Sequence, residues 1–138
     1  MFRNGDEAYT IALDSLMNEE ESLNNDIEYI SIDMSDVNIL KEEYKVIVVN
    51  NFKTKYDVEV LDLTLEELRE KGLFHPDSKV LSGVLLRIDE IDFDQNSNNA
   101  IFKGSKYRSG DGGVTVEGTI QFIDGKWEIK EIKQTSVS

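Results

Sequence analysis

Residue types that build chemical sites are scarce in this chain, which has no cysteine, one histidine and one proline. Without cysteine there are no disulfides and no thiolate metal ligands, although this absence selects no cellular compartment. The single histidine, His75, precedes Pro76, and no serine or aspartate pattern around it indicates a catalytic triad. Carboxylates alone make poor zinc sites. The sequence therefore predicts no metal site, no cofactor and no recognisable catalytic residue.

Long apolar runs are also missing. The longest is Val46-Ile47-Val48-Val49, whereas a membrane-spanning helix needs roughly 20 apolar residues. Met1-Phe2-Arg3 leads directly into polar residues, which does not fit a signal peptide. We expect a soluble segment that does not insert into a membrane.

Positive charge is scarce in the first part of the chain. The formal net charge is −13, and residues 1–50 hold twelve acids and three bases. From residue 101 onward there are five acids and six bases, so the acidity belongs to the first two thirds of the chain. An acidic surface repels phosphate backbones and anionic lipids, which argues against nucleic acid as a partner. Such a surface serves solubility, or it is a docking face for a basic partner.

What the sequence does contain is a three-strand antiparallel meander over residues 101–133. Apolar residues alternate there with polar ones, as in a strand with one buried face; the apolar set is Val114, Val116, Ile120 and Phe122. Asp124-Gly125 predicts a two-residue turn, because glycine tolerates the positive φ that such turns require. This turn would place Phe122 opposite Trp127 and Ile120 opposite Ile129.

Two amphipathic helices are predicted before the meander. Apolar residues at helical spacing define the first: Tyr9, Ala12, Leu13, Leu16 and Met17. The second, capped by Ser35 or Asp36, has a stripe formed by Val37, Leu40, Tyr44, Ile47, Val48 and Phe52. The β-branched run 46–49 favours a strand instead, but the stripe spans more than four turns, so we predict a helix. Residues 27–33 are either extended or a short strand, and Val58 and Val60 mark another short strand.

The local signals are clearest around residue 64. Thr64 and Glu67 form a capping box, and Gly72 stands where a left-handed C-terminal cap is required, which predicts a short helix over residues 65–71. Residues 80–93 read as a long strand whose phase changes between Ile88 and Ile91, which indicates a bulge. Apolar and charged contents of 39% and 31% are typical of globular proteins, so we expect one α+β domain, 1–138.

Two loops resemble binding motifs without matching them. The spacing of Asp92, Asp94, Asn96 and Asn98 is that of a calcium loop, but Ser97 replaces the turn glycine and Lys103 replaces the bidentate glutamate. The glycines of residues 110–113 precede a strand and not a helix, which favours a β-turn over a phosphate site. We therefore predict a polar hairpin loop and a turn at these two positions.

The candidate ligand-binding residues are Tyr107, Arg108 and Asp92. An arginine beside the glycine loop could clamp a carboxylate, and a tyrosine could donate to an oxyanion. The alternative is an edge aromatic beside a solvated arginine. Asp89, Glu90 and Asp92 are the acids flanked by apolar strand residues, so a buried catalytic acid would be sought there first.

The predicted order of elements resembles the cone-shaped nuclear transport factor 2-like and cystatin-like group. Three pairs of segments also resemble small uncharacterised proteins of low-GC Gram-positive bacteria: residues 12–17 with Leu23-Asn24, 70–74 with 83–86, and 104–110 with 125–127. This resemblance implies N-terminal helices packed on one face of a curved antiparallel sheet. Such proteins often carry a leader or anchor, so the resemblance also implies an extracytoplasmic location.

Three functions are compatible with these observations. We expect a non-enzymatic binding module that uses the concave sheet face or the acidic helical face. One alternative is a small-ligand pocket protein or isomerase-like enzyme, with Tyr107, Arg108 and Asp92 near the mouth of the cone. A second alternative is an acidic immunity-type protein that binds a basic toxin. The oligomeric state stays open, with a dimer among the possibilities.

Overall fold

The computed structural model describes residues 5–35, 41–75, 80–94, 98–109 and 112–137. Its α-helices are α1 (Gly5–Asn18), α2 (Glu42–Tyr56) and α3 (Leu65–Glu70), and a 3₁₀ helix (Glu21–Asn24) follows α1. The strands are β1 (Tyr29–Asp33), β2 (Glu59–Leu61), β3 (Phe74–His75), β4 (Val80–Asp94), β5 (Asn99–Ser109), β6 (Gly112–Ile123) and β7 (Lys126–Val137).

The strands form one open, curved sheet in the order β2-β1-β4-β5-β6-β7, with β3 paired to β4. Strands β4 to β7 are antiparallel, as predicted. The prediction of an antiparallel sheet is wrong for β1, which runs parallel to both β2 and β4. The reason is the crossover through α2: a helix between two adjacent strands returns the chain to the starting edge, so the strands run in the same direction.

Helices α1 and α2 pack on one face of the sheet. The predicted stripe of α1 is buried against β4 to β7, and α2 contributes Val48 and Phe52 to the same core. Inward-facing residues of the strands complete this core. Among them are Ile30, Ile32, Val84, Leu86, Ile88, Phe102, Val116, Ile120 and Trp127. The helical prediction is thus confirmed from Tyr44 to Phe52, because packing of the buried side of α2 overrides the β-branched run. The predicted cap at Ser35 is wrong, because α2 begins at Glu42 with Lys41 as its N-cap. Residues 36–40, which include the other predicted cap Asp36, lie outside the described part of the chain.

The other face of β1 and β4 has its own apolar cluster, under α3. Leu68 of α3 packs with Tyr29, Leu81 and Leu85, and this cluster is completed by Leu61, Leu63, Leu65, Leu73 and Tyr107. The N-terminal helices α1 and α2 thus share one sheet face, whereas α3 covers the other. Strand β1 is buried at all five positions, as is typical of parallel strands covered on both sides. The leucines that surround α3 provide the second cover.

Ser31 connects β1 to the segment that precedes α3. Its hydroxyl donates to the carbonyl oxygen of Leu63 (2.8 Å) and accepts from the Leu63 amide (3.2 Å). A fully buried hydroxyl is satisfied in this way. These two bonds fix the position at which α3 begins.

The capping box of α3 is confirmed. The Thr64 hydroxyl accepts from the Glu67 amide (3.2 Å), and the Glu67 carboxylate accepts from the Thr64 amide (3.0 Å). At the other end, Gly72 has φ +75° and the Leu73 amide donates to the Leu68 carbonyl (2.9 Å). Both ends of this six-residue helix are therefore closed by local hydrogen bonds.

Thr64→Ala is expected to lower the free energy of unfolding by about 1 kcal/mol, because the Glu67 amide loses its acceptor. Thr54→Ala is the matched control, since Thr54 is exposed within α2 and alanine is the better helix former. Urea denaturation of the two variants measures the difference. A Thr64 variant as stable as the Thr54 variant would contradict the capping role.

The meander follows its predicted register. Phe122 pairs with Trp127 and Ile120 with Ile129 across the Asp124-Gly125 turn, and both turn residues have positive φ. The Trp127 ring contacts Phe122 and Phe93, with ring centroids 5.4 and 5.6 Å apart. The predicted bulge lies between Ile88 and Glu90. Of the predicted loop over residues 95–99 and the predicted turn over 110–113, residues 95–97 and 110–111 fall outside the described residues. β5 already begins at Asn99, and β6 begins at Gly112.

Candidate functional site

The structure places Tyr107 and Arg108 on opposite faces of β5, as expected for successive strand residues. Tyr107 packs in the apolar cluster under α3. Arg108 turns toward the chain that follows α1. The two side chains therefore do not share a binding surface.

Asp92 lies far from both. It pairs with Ile101 near one end of β5, whereas Tyr107 pairs with Leu85 near the other. Six residues of strand between Ile101 and Tyr107 correspond to about 20 Å. The structure therefore does not bring the three predicted site residues together.

The acids that were candidates for a buried catalytic group are exposed. Asp89 accepts from Arg87 (2.8 Å), Glu90 lies 3.5 Å from the Lys103 ammonium, and Asp92 also lies on the surface. An acid of this kind acts at neutral pH when an apolar pocket shifts its pKa. None of the three has such an environment.

Arg108 holds main-chain carbonyl groups. Its Nε donates to the Leu81 carbonyl (3.3 Å), and its Nη1 donates to the carbonyls of Leu23 (3.0 Å) and Asn25. These bonds occupy the donors of Nε and Nη1, which a bidentate clamp through that edge of the guanidinium would need. In this structure they connect β5 to β4 and to the end of the 3₁₀ helix.

The residue next to Arg108 on the same face of β5 is Lys106, which is fully buried. Its ammonium donates to three main-chain carbonyls, one in the last turn of α1 and two just after the helix: Met17 (3.0 Å), Glu19 (2.7 Å) and Glu20 (3.5 Å). The last carbonyls of a helix lack intrahelical partners and carry partial negative charge. Lys106 therefore caps the C-terminal end of α1 from the sheet.

Lys106 and Arg108 together fix residues 19–28, which we name the acidic segment. It contains five acids and no base: Glu19, Glu20, Glu21, Asp26 and Glu28. All but Glu19 are exposed. The two cations lie behind the segment on β5 and hold its main chain.

Further contacts hold the same segment. Asn24 donates to the Met17 carbonyl (3.0 Å), and Gln134 of β7 donates to the carboxylates of Glu19 (3.4 Å) and Glu20 (3.2 Å). Glu20 adopts a left-handed backbone conformation, with φ 45° and ψ 62°, which is costly for a residue other than glycine. Surrounding contacts must therefore maintain it.

The environment of Lys106 changes its acidity. Burial lowers the pKa of Lys106 to about 8, because the charged form loses its hydration. The negative charges of Glu21, Glu19 and Glu20 oppose this change by favouring the ammonium. An amine with this pKa exchanges its proton in the mildly alkaline range.

Sequence reasoning missed Lys106, although one signal was present. Buried positions alternate along β5 at Ala100, Phe102, Gly104 and Lys106, so the strand period places the lysine on the inward face. A lysine at such a position must find acceptors inside the protein. Here the acceptors lie at the C-terminal end of α1, 89 residues earlier in the chain.

The comparisons with known proteins add no identity. No family model, no curated protein and no solved structure matches the chain. The likeness to the nuclear transport factor 2-like group thus stays a prediction.

Within the described ranges, no helix is both long enough and apolar enough to cross a membrane. The same part of the chain holds no group of three or more histidine, aspartate or glutamate side chains arranged to hold a metal ion.

Proposed function

We propose that this protein is a non-enzymatic binding module that recognises a basic protein partner through the acidic segment. One observation carries the proposal: Lys106 and Arg108 of β5 hold the main chain of a segment whose five acids include four exposed ones. A surface fixed before binding loses less conformational entropy when a partner docks. Its carboxylates also attract a cationic partner before contact.

The packing of α1 supports recognition at the surface over recognition in a pocket. The predicted apolar stripe of α1, residues 9, 12, 13, 16 and 17, is at most 3% exposed and lies on the inward residues of β4 to β7. A pocket enzyme of isomerase type needs an open apolar space with an acid inside it. Asp92, its candidate acid, is on the outside of the sheet.

The acidic immunity-type hypothesis is a special case of this proposal, in which the basic partner is a toxin. It uses the same segment and the same electrostatics. The extracytoplasmic location rests on the resemblance to proteins that carry leaders or anchors, and it stays part of the proposal.

The test compares two triple variants with equal changes of charge. Glu19→Gln, Glu20→Gln and Glu21→Gln remove three charges from the acidic segment. The control, Glu59→Gln, Glu66→Gln and Glu70→Gln, removes three exposed charges around α3 and leaves the capping glutamate intact. Proteins captured from an extract of a low-GC Gram-positive bacterium are compared by quantitative mass spectrometry, and the Kd of a captured protein is then measured by titration.

We expect a basic protein that the wild type and the control triple retain equally and that the segment triple loses. The Kd should rise by about tenfold or more in the segment triple, since each carboxylate at the interface contributes roughly 0.5–1 kcal/mol. Equal retention by all three proteins would contradict recognition through the acidic segment. A high salt concentration should weaken capture by the wild type.

A further inference from the structure

The number of donors on Lys106 matches the number of carbonyls around it. A protonated lysine has three N–H donors, and the three carbonyls of Met17, Glu19 and Glu20 accept from it. A neutral amine has two donors and one lone pair, and the lone pair would face a carbonyl oxygen. Loss of one proton therefore requires one of the three carbonyls to leave.

The bond lengths indicate which carbonyl leaves. The Glu19 and Met17 oxygens lie 2.7 and 3.0 Å from the nitrogen, whereas the Glu20 oxygen lies 3.5 Å away. Glu20 is also the residue held in the left-handed conformation. The Glu20 carbonyl also accepts from the Leu23 amide (2.9 Å), so it keeps a partner when the weakest of the three Lys106 bonds is lost. The unfavourable backbone conformation at Glu20 then loses one of the contacts that maintain it.

We propose that the acidic segment is a proton-operated switch, in which deprotonation of the buried Lys106 releases the Glu20 carbonyl and changes the backbone conformation at residues 19–21. The switch is a property of this chain alone. Only its consequence, a change in how the carboxylates are presented to a basic partner, rests on the proposed function.

The surroundings of Lys106 place the transition in an accessible pH range. Its neighbours across β4 and β6 are Leu86 and Val114, which are apolar, and β7 contributes the uncharged Gln134. The charged groups are Glu19, Glu20 and Glu21 on the segment and Arg108 on the same strand. Burial outweighs the carboxylates, and the pKa of Lys106 falls to about 8. Exposed lysines titrate more than two units higher.

The experiment follows both ends of the contact in the unmodified protein by carbon-detected NMR. The ¹³Cε shift of Lys106 reports its proton, and the ¹³Cα and ¹³C′ shifts of Glu20 report its backbone conformation. We expect the two to change together with a midpoint near pH 8. The ¹³Cα shift of Asp57, which is left-handed at the end of α2, should stay constant.

Lys106→Arg is the matched variant, because arginine keeps a positive charge and donors but does not lose its proton in this range. We expect the pH dependence of the Glu20 shifts to disappear, whereas Lys103→Arg on the outer face should preserve it. If Lys106→Arg does not fold, the titration of the wild-type protein still tests the switch. A Lys106 midpoint in the ordinary lysine range, or unchanged Glu20 shifts through its titration, would overturn the switch and leave the binding proposal standing.

Discussion

Lys106→Met is expected to lower the free energy of unfolding by about 1–3 kcal/mol at pH 7. Methionine fills a similar volume but donates no hydrogen bond, so the Glu19 carbonyl loses the Lys106 donor, whereas the Glu20 carbonyl keeps the Leu23 amide (2.9 Å). A buried acceptor without a partner costs about 1–3 kcal/mol. The variant also gains some stability, because it no longer buries a charge. The Met17 carbonyl keeps its bond from Asn24, so the loss of stability should lie near the lower end of this range.

The same substitution should become more costly as the pH rises. The pKa of Lys106 is about 8 in the folded protein and 10.5 in an exposed lysine. Between these two values the unfolded chain binds more protons than the folded chain, so wild-type stability increases with pH. The difference between wild type and Lys106→Met should widen by roughly 2–3 kcal/mol from pH 7 to pH 10.5.

Two tyrosines lower the stability of the folded protein at higher pH, which is opposite to the effect of Lys106. Burial raises the pKa of Tyr29 to about 12, and burial together with the hydrogen bond to Asp14 also raises the pKa of Tyr56. Their contribution is lost as the pH rises above about 10, where unfolded tyrosines ionise. Because both proteins contain these tyrosines, the effect cancels in the comparison.

Lys103→Met is the control for this measurement. Lys103 lies three residues earlier on the same strand, faces outward and is 54% exposed beside Glu90. A surface pair of this kind contributes at most about 1 kcal/mol. Urea denaturation at pH 7 and in alkaline buffers measures all three proteins. If the two methionine variants have equal stability at every pH, Lys106 does not hold the acidic segment.

The elements that sequence reasoning predicted correctly are those whose causes lie within a few residues. The Asp124-Gly125 turn sets the register of β6 and β7, and the capping box that begins at Thr64 sets the start of α3. The phase change after Ile88 marks the bulge in β4. Each of these signals acts through backbone conformation or local hydrogen bonds, so a short stretch of sequence is enough to predict it.

The features that escaped prediction depend on contacts between distant parts of the chain. The parallel pairing of β1 depends on where the α2 crossover returns the chain. The burial of β1 on both faces depends on leucines that surround α3, more than thirty residues later. Lys106 depends on the end of α1. No local pattern encodes which distant segment fills a given space, and the candidate site was missed for that reason.

Gly83→Ala is expected to lower the free energy of unfolding by about 3–4 kcal/mol, because there is no room for a methyl group on β4 at this position. A Cβ atom at Gly83 would lie 2.1 Å from the Tyr29 carbonyl oxygen and 2.7 Å from the Tyr29 ring. Overpacking costs about 1–3 kcal/mol where side chains can move, and more where backbone must shift.

The contact joins β4 to β1, which are paired from Ile30 and Val84 onward, so relief of the clash must move these strands apart. Gly113→Ala on β6 is the matched control, since its nearest atoms are the Lys106 carbonyl oxygen at 3.5 Å and the Tyr107 ring at 3.7 Å. That variant should be neutral or slightly stabilising, because alanine loses less backbone entropy on folding. Hydrogen exchange adds a local measurement: Gly83→Ala should reduce protection in β1 more than in β6 and β7. Equal stability of the two alanine variants would mean that β1 does not pack on β4 at this distance.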